Sequence, residues 1–336
     1  MKVLFIGGTG TISNACSQLA VKKGIELYLL NRGNHNDKAP SGAKFIQADI
    51  NDEVNSSKAL QGLHFDCVVN WIAFKPEQIE RDIRLFTGKT SQYIFISSAS
   101  VYQKPVTHYL ITESTPLANP YWEYSRDKIA CEDVLMREHR ENAFPMTIVR
   151  PAHTYDKNSI PTGFHGNNPW GIIERMRQGK KVIVHGDGTS LWALTHSSDF
   201  AKAFVGLLGN SKSVGHAFHI TSDEVLNWNQ IYEALGRAAG VTPDLIHIST
   251  DFLRHFDPWV EGSLWGDKAN SVVFDNSKIK RFVPDYVATI RFEEGIKESI
   301  EYFESHQEKR ASDKEWDALC DKIIAAYELG TAQAKL

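Results

Sequence analysis

The run FIGGTGTIS, residues 5–13, lies between the apolar segment KVLFI and the helix-patterned ISNACSQLAVKKG. A chain that passes from strand to helix through closely spaced glycines must turn sharply and leave its backbone approachable. Gly7 permits the tight turn, and Gly10 lets the main chain come close to a bound group. The first N–H groups of the helix then face that group, and they favour an anion such as a pyrophosphate. Ser13 takes the third place, where Gly or Ala is usual, and is still small enough for close helix–sheet packing.

The segments that follow continue the alternation. IELYLL, AKFIQAD, DCVVNWIA, QYIFISSAS and TIVRP read as strands, with helical stretches around 55–61, around 76–87 and through Tyr124 between them. Strands apolar on both faces and separated by helices indicate a parallel sheet covered on both sides. The expected fold is therefore α/β, a doubly wound Rossmann-type parallel sheet with a smaller C-terminal mixed α/β substrate domain. Residues 1–155 form the dinucleotide-binding part, with a return segment at about 190–215. Residues 156–189 and 216–336 form the substrate-binding part and a helical tail. In that tail Trp316, Leu319, Cys320, Ile323, Ile324 and Tyr327 share one face, and Ser312 is the expected N-cap.

With 336 residues, 42% of them hydrophobic, the chain can bury a large core. A net charge of -4 gives no electrostatic footprint for nucleic acid. No apolar run reaches the roughly 18 residues a membrane helix needs. The chain enters a strand directly, so no secretory leader is expected. Cys16, Cys67, Cys131 and Cys320 are too scattered for a metal finger or a redox pair. They read as reduced thiols of a cytoplasmic protein. The 13 histidines show no ligand spacing, and no metal site is expected.

The end of the second strand selects the dinucleotide. A carboxylate there would bind the ribose 2′-OH of NAD, but LLNRGN offers Asn31 and Arg32. A guanidinium suits a 2′-phosphate by charge and by bidentate geometry, so NADP is favoured over NAD. The alternative is a solvated surface arginine, with NAD held through backbone contacts.

Within YWEYSRDK, Tyr124 and Lys128 stand four residues apart and project from one helical face. A free tyrosine is too weak an acid to be a base at neutral pH. A neighbouring ammonium would favour its phenolate.

Taken together, GGTGTIS, ADI, NWIA, ISSASVY, YSRDK, VRPAHTY and GDGTSLWALTHSSDFA resemble the extended short-chain dehydrogenase/reductases, the NAD-dependent epimerase/dehydratase group. The likeness runs in order over roughly residues 1–300. The NRG at the end of strand two further resembles a subgroup that includes the chloroplast stem-loop-binding proteins. The resemblance implies Tyr124 as catalytic acid/base, Lys128 on the nicotinamide ribose and Ser98 on the reacting oxygen. It implies Gly7, Thr9, Gly10, Thr11 and Ile12 around the pyrophosphate, and Asp49 and Ile50 beside the adenine. Trp71 and Ala73 would line the ribose side, with Pro151 and His153 near the nicotinamide. A homodimer through the helices at 76–87 and 121–140 is implied as well.

Departures from the family pattern narrow the reaction. Dehydratases of the group carry an Asp–Glu pair after the catalytic Ser or Thr, and related decarboxylases carry a Glu. Here Ala99 and Ser100 stand at those places and cannot titrate. Oxidoreductase and isomerase outcomes remain, a reductase/dehydrogenase or an epimerase on a sugar-like, possibly nucleotide-sugar, small molecule. The arginine that grips a diphosphate after GDG is replaced by Leu191, Trp192 and Ala193, and Asp156 stands where a glycine is usual. A diphosphate would need Arg175, Arg177, Lys157 or another cation. Trp192 reads first as core packing and second as a stacking surface, and His153 and His165 as hydrogen-bonding residues before acid/base groups. The alternatives to an enzyme are a non-catalytic nucleotide-binding or RNA-associated protein and a redox-sensing regulator.

Overall fold

A computed structural model describes residues 1–334. Strand β1 (Lys2–Ile6) is followed by α1 (Thr11–Lys22), β2 (Glu26–Asn31), β3 (Lys44–Gln47), α2 (Glu53–Ala59), β4 (Cys67–Asn70), α3 (Pro76–Phe86) and β5 (Tyr93–Ile96). Helix α4 (Glu123–Asn142) then leads into the strand Met146–Pro151. Seven parallel strands form the main sheet, in the order Ala217–Ile220, Met146–Pro151, β5, β4, β1, β2, β3.

Val3 to Ile6 are fully buried, as are Val68, Val69, Ile94 and Phe95, because helices cover both faces of these strands. Helices α1 and α6 (Ser197–Leu207) pack on one face, and α3 and α4 on the other. Strand order reverses at β1, with β2 on one side and β4 on the other. The loops leaving β1 and β4 therefore part there and open a crevice above the strand C-termini.

The sheet takes back more chain than the expected return segment at 190–215. Ala217–Ile220 is its edge strand, and Ile279 and Tyr286 pack in the core beneath α6. HAFHI carries no local mark separating a sheet edge from a strand of the smaller domain; its pairing with Ala217↔Ile148 register is tertiary.

The smaller domain has its own core around Trp170, Trp228, Tyr232, Leu264, Ile296 and Trp316. It contains α5 (Gly171–Arg177), α7 (Trp228–Ala239), a parallel strand pair Val182–His185 with Leu245–Ile248, and the helix Phe292–Ser305. A π-helix, Glu261–Lys268, leads back toward the sheet. The terminal helix, Lys314–Gln333, buries Trp316, Cys320, Ile323 and Ile324 as its pattern predicts. Its N-cap is Asp313 rather than Ser312, since the Asp313 carboxylate accepts from the Trp316 amide at 3.2 Å. The same carboxylate accepts from the amides of Asn167 and Asn168, which fixes the loop ahead of α5.

All four cysteines are buried and unpaired, and burial pushes each thiol well above its ordinary range. Buried thiols of this kind are inert, in keeping with the reading of four reduced, unpaired cysteines. Among the described residues no helix is long and apolar enough to cross a membrane.

Candidate active site

The glycine loop turns with Gly7 at φ +94° and Gly8 at φ +111°, a region costly for any residue with a Cβ. A Cβ on Gly8 would also lie 2.7 Å from the Leu29 side chain. Gly8 was missed in the sequence because Gly7 and Gly10 alone satisfy the spacing. Ser13 Oγ accepts from the Gly10 amide at 2.9 Å, and Ser17 Oγ donates to the Gly8 carbonyl at 2.8 Å. Serine in the third place thus braces the loop as well as fitting it. The space over Gly10 is open, and a Cβ there would meet Ser13 Oγ at an ordinary 3.5 Å. Thr11 and Ile12 begin α1 beside it, where the first turn of a helix leaves its amides unsatisfied.

A cavity of about 390 Å³ continues from the loop, lined by Gly7, Thr9, Asn31, Arg32, Asp49 and Ile50 among others. Asn31 Oδ1 accepts from the Gly33 amide at 2.8 Å and sets the turn after β2. Arg32 is exposed at the rim and, among the described residues, its guanidinium has no hydrogen-bond or ion-pair partner. His35 lines the same rim. Asp49 Oδ1 accepts from the Asn51 amide at 3.0 Å. An open cradle at a helix N-terminus, joined to an adenosine-sized cleft with a free cation, fits a dinucleotide.

Two of the expected wall residues do not line this cleft. The Trp71 indole points down into the core, 5.5 Å from Phe5 and 4.7 Å from Phe204 between ring centres. Ile72 lines the cleft in its place. Ala73 is buried and contributes its carbonyl, which accepts from Lys128 Nζ at 2.7 Å. One-residue alternation at a strand exit decides which side chain faces out, and the sequence does not show where the strand ends.

A second cavity, of about 460 Å³, brings together the candidate catalytic groups. Ser98, Tyr124, Pro151, Ala152 and His153 line one end of it. Ser125 Oγ donates to Ser100 Oγ at 2.7 Å, and Ser100 Oγ lies 2.9 Å from Ser98 Oγ. The Ser100 amide also donates to Ser98 Oγ, at 3.2 Å. Either hydroxyl can donate across the contact between Ser98 and Ser100. Because Ser100 Oγ already accepts from Ser125, it can pass its own proton to Ser98 Oγ, an arrangement that turns the Ser98 proton toward the cavity. Ser100, unable to titrate, therefore orients Ser98.

Lys128 is buried under the site, its ammonium held by the carbonyls of Ala73 and of Ile96, the latter at 2.8 Å. Burial pulls its pKa down to about 8. The expected lysine-driven depression of Tyr124 is not what this geometry gives. Burial raises the Tyr124 pKa and the nearby Asp267 adds to the rise, with the Ser98 hydroxyl opposing it. Lys128 Nζ sits 5.8 Å from the centre of the Tyr124 ring and spends its charge on the two carbonyls. The phenol is accordingly protonated at neutral pH.

Burial pulls His153 down to about 3, so it is a neutral imidazole, and its Nδ1 has no partner. His165 does not line this cavity; its Nδ1 donates to the Gly166 carbonyl at 2.9 Å.

The chain matches the NAD dependent epimerase/dehydratase family over residues 3–221. It belongs to that family. Among curated relatives it is 26% identical over 262 residues to the chloroplast stem-loop binding protein of 41 kDa b of Arabidopsis thaliana, covering 73% of this chain and 65% of that protein. It is 21% identical over 326 residues to a UDP-N-acetyl-alpha-D-glucosaminuronate decarboxylase of Bacillus cytotoxicus, covering 90% and 97% of the two chains. Its fold is that of the UDP-glucuronic acid 4-epimerase of Bacillus cereus solved with NAD, with TM-score 0.71, 19% identity, and 93% and 99% of the two chains covered.

In this family member the cations expected to meet a diphosphate are already engaged by the chain's own groups. Arg175 is buried and bonded to the Lys181 carbonyl, Asp317 and Asp321, each at 2.6 Å. Arg177 pairs with Glu304, and Lys157 lies over the Tyr302 ring at 5.2 Å. Asp156 closes an Asx turn onto the Asn158 amide at 2.8 Å. Trp192 both packs on Trp228, 5.8 Å away, and lines the reacting cavity, so its two readings are not exclusive. The cations that do line that cavity are Lys104 and Lys268, with Asp267 beside them. The sequence reading missed all three, which come from a loop and a π-helix and follow no spacing.

Proposed function

We propose that this protein is an NADP(H)-dependent reductase or epimerase acting on a carbonyl or hydroxyl of a sugar-like small molecule. The observation that carries the reading is a single cavity in which Ser98 and Tyr124 face Pro151 and His153 beside the crevice at β1. The bound dinucleotide supplies the hydride that is exchanged with the substrate carbon. Tyr124, held as the phenol by burial, gives its proton to the carbonyl oxygen in reduction and takes it back in oxidation. Ser98 donates a hydrogen bond to the same oxygen from a hydroxyl fixed by Ser100. Lys128 holds the exits of β4 and β5 together through Ala73 and Ile96. A phenol protonated at neutral pH is ready to act as the acid that reduction requires.

Arg32 supports NADP over NAD, as an unpaired guanidinium at the ribose end of the cleft. Titration followed by nicotinamide fluorescence should find NADPH bound about 10–100-fold more tightly than NADH, the worth of charged hydrogen bonds to a phosphate. Arg32→Ala should erase that difference. Equal affinity for the two in the unaltered protein would return the reading to NAD.

The reading includes a homodimer across the outer faces of α3 and α4, where Ile83, Ile129 and Val134 are part-exposed. It gives RNA no role, because a net charge of -4 offers phosphates no basic stripe. Filter binding of a structured RNA with a steep salt slope would reverse that assignment.

A further inference from the structure

Lys104 and Lys268 are only 4% and 7% exposed, yet neither ammonium has a hydrogen-bond or ion-pair partner among the described residues. Both line the cavity that holds Ser98 and Tyr124. Buried charges are ordinarily paired, so two unpartnered ammonium groups in one cavity call for an anion from outside. Burial depresses both lysines, and the nearby Asp267 only partly opposes that.

The backbone holds these groups firmly. The Lys268 carbonyl accepts from Trp228 Nε1 at 3.0 Å, from His185 Nε2 at 3.3 Å and from Ser190 Oγ at 3.3 Å. The π-helix lies flat on Trp122, since a Cβ on Gly262 would stand 2.5 Å from that indole. Asn119 Nδ2 donates to the Gly266 carbonyl at 2.7 Å and to the Ser100 carbonyl at 2.8 Å. One buried amide thus sets the lysine-bearing segment against the segment that carries Ser98. An eight-residue π-helix is rare, and π geometry where it occurs is frequent at functional sites. Such fixed placement is what recognition of a small charged group requires.

We propose that the substrate is a carboxylate, a hydroxy- or oxo-acid whose carboxylate is held by Lys104 and Lys268 while its reacting oxygen meets Ser98 and Tyr124. The inference rests on the reductase or epimerase reading of the same cavity. Burial depresses both lysines and raises the Asp267 carboxyl, so the empty site favours low charge, and an arriving anion would restore the two ammonium groups. A singly charged carboxylate needs less neutralisation there than a phosphate. The rest of the lining is largely aromatic, with Trp122, Trp192 and Trp259, and suits the apolar face of a small ring or chain.

The test uses Tyr124→Phe protein loaded with NADPH, so that binding is read without turnover. Calorimetry would compare carboxylates from glyoxylate to D-glucuronate with their methyl esters, and with inorganic phosphate and UDP. At least one carboxylate should bind about 10–100-fold more tightly than its ester. Lys104→Met and Lys268→Met should each remove most of that preference, and Lys104→Arg should restore part of it. Equal binding of acid and ester, a preference that survives both substitutions, stronger binding of UDP through the same lysines, or no saturable binding by any carboxylate would each overturn the inference. Unaltered protein that reduces uncharged carbonyls equally well would leave the reductase reading standing alone. Carboxylates that bind through the lysines in a protein that never oxidises NADPH would leave the anion site standing alone.

Discussion

Tyr124→Phe should lower kcat for NADPH-dependent reduction by about 10²–10⁴-fold, the usual worth of a positioned general acid. The substitution keeps the ring and its packing on Phe74 and Trp122 and removes only the hydroxyl. Affinity for NADPH should therefore stay within a few-fold of the original, and the loss should fall on kcat rather than KM. The pH profile follows from the direction of the shift. With the phenol pKa raised by burial, the acid form persists through neutral pH. Reduction should hold a plateau there and decline only on the alkaline side as the proton is lost. A variant turning over within a few-fold of the original would remove Tyr124 from the chemistry.

Glu132→Ala should destabilise the fold by about 3–5 kcal/mol, because it strands a buried arginine. Glu132 and Arg150 are 2% and 4% exposed and share a two-pronged ion pair, at 2.9 and 2.6 Å. Ser97 Oγ donates to the same carboxylate at 2.6 Å, so the pair ties α4 both to β5 and to the strand Met146–Pro151. The double variant Glu132→Leu, Arg150→Met should recover most of the loss, since it removes both charges together. Urea midpoints at constant slope would measure both. A single variant within about 1 kcal/mol of the original would show that the arginine finds water or another partner. Because Ser97 adjoins Ser98, any folded single variant should also turn over more slowly.

What the sequence made legible was local. The glycine loop, the Asn31–Arg32 strand end and the Tyr124–Lys128 pair each lie within a few residues, where spacing alone fixes geometry. The sheet was legible because buried parallel strands are apolar on both faces. Lys104, Asp267 and Lys268 were not, since the cavity that unites them is made by elements more than 150 residues apart and by a π-helix with no periodic signature. The inward turn of Trp71 depends on where β4 ends, and the place of Asp313 over Ser312 depends on the Asn167 and Asn168 amides that it also caps. The expected effect of Lys128 on Tyr124 failed for a related reason. Two backbone carbonyls brought together by the sheet hold that ammonium.

The capping of the loop at Asn167 by Asp313 spans 146 residues. Chains are made from the N-terminus at about 5–20 residues per second, so roughly 7–30 s separate the synthesis of the two partners. The sheet, the glycine loop and Tyr124 can all be complete and packed during that interval. The loop beside them, and the Arg175 guanidinium that awaits Asp317 and Asp321, cannot be. On the ribosome the glycine-loop crevice is thus an early product and the packed smaller domain a late one. For that interval the Arg175 guanidinium lacks its counter-charges and stays in water, and its burial waits for the terminal helix that brings them.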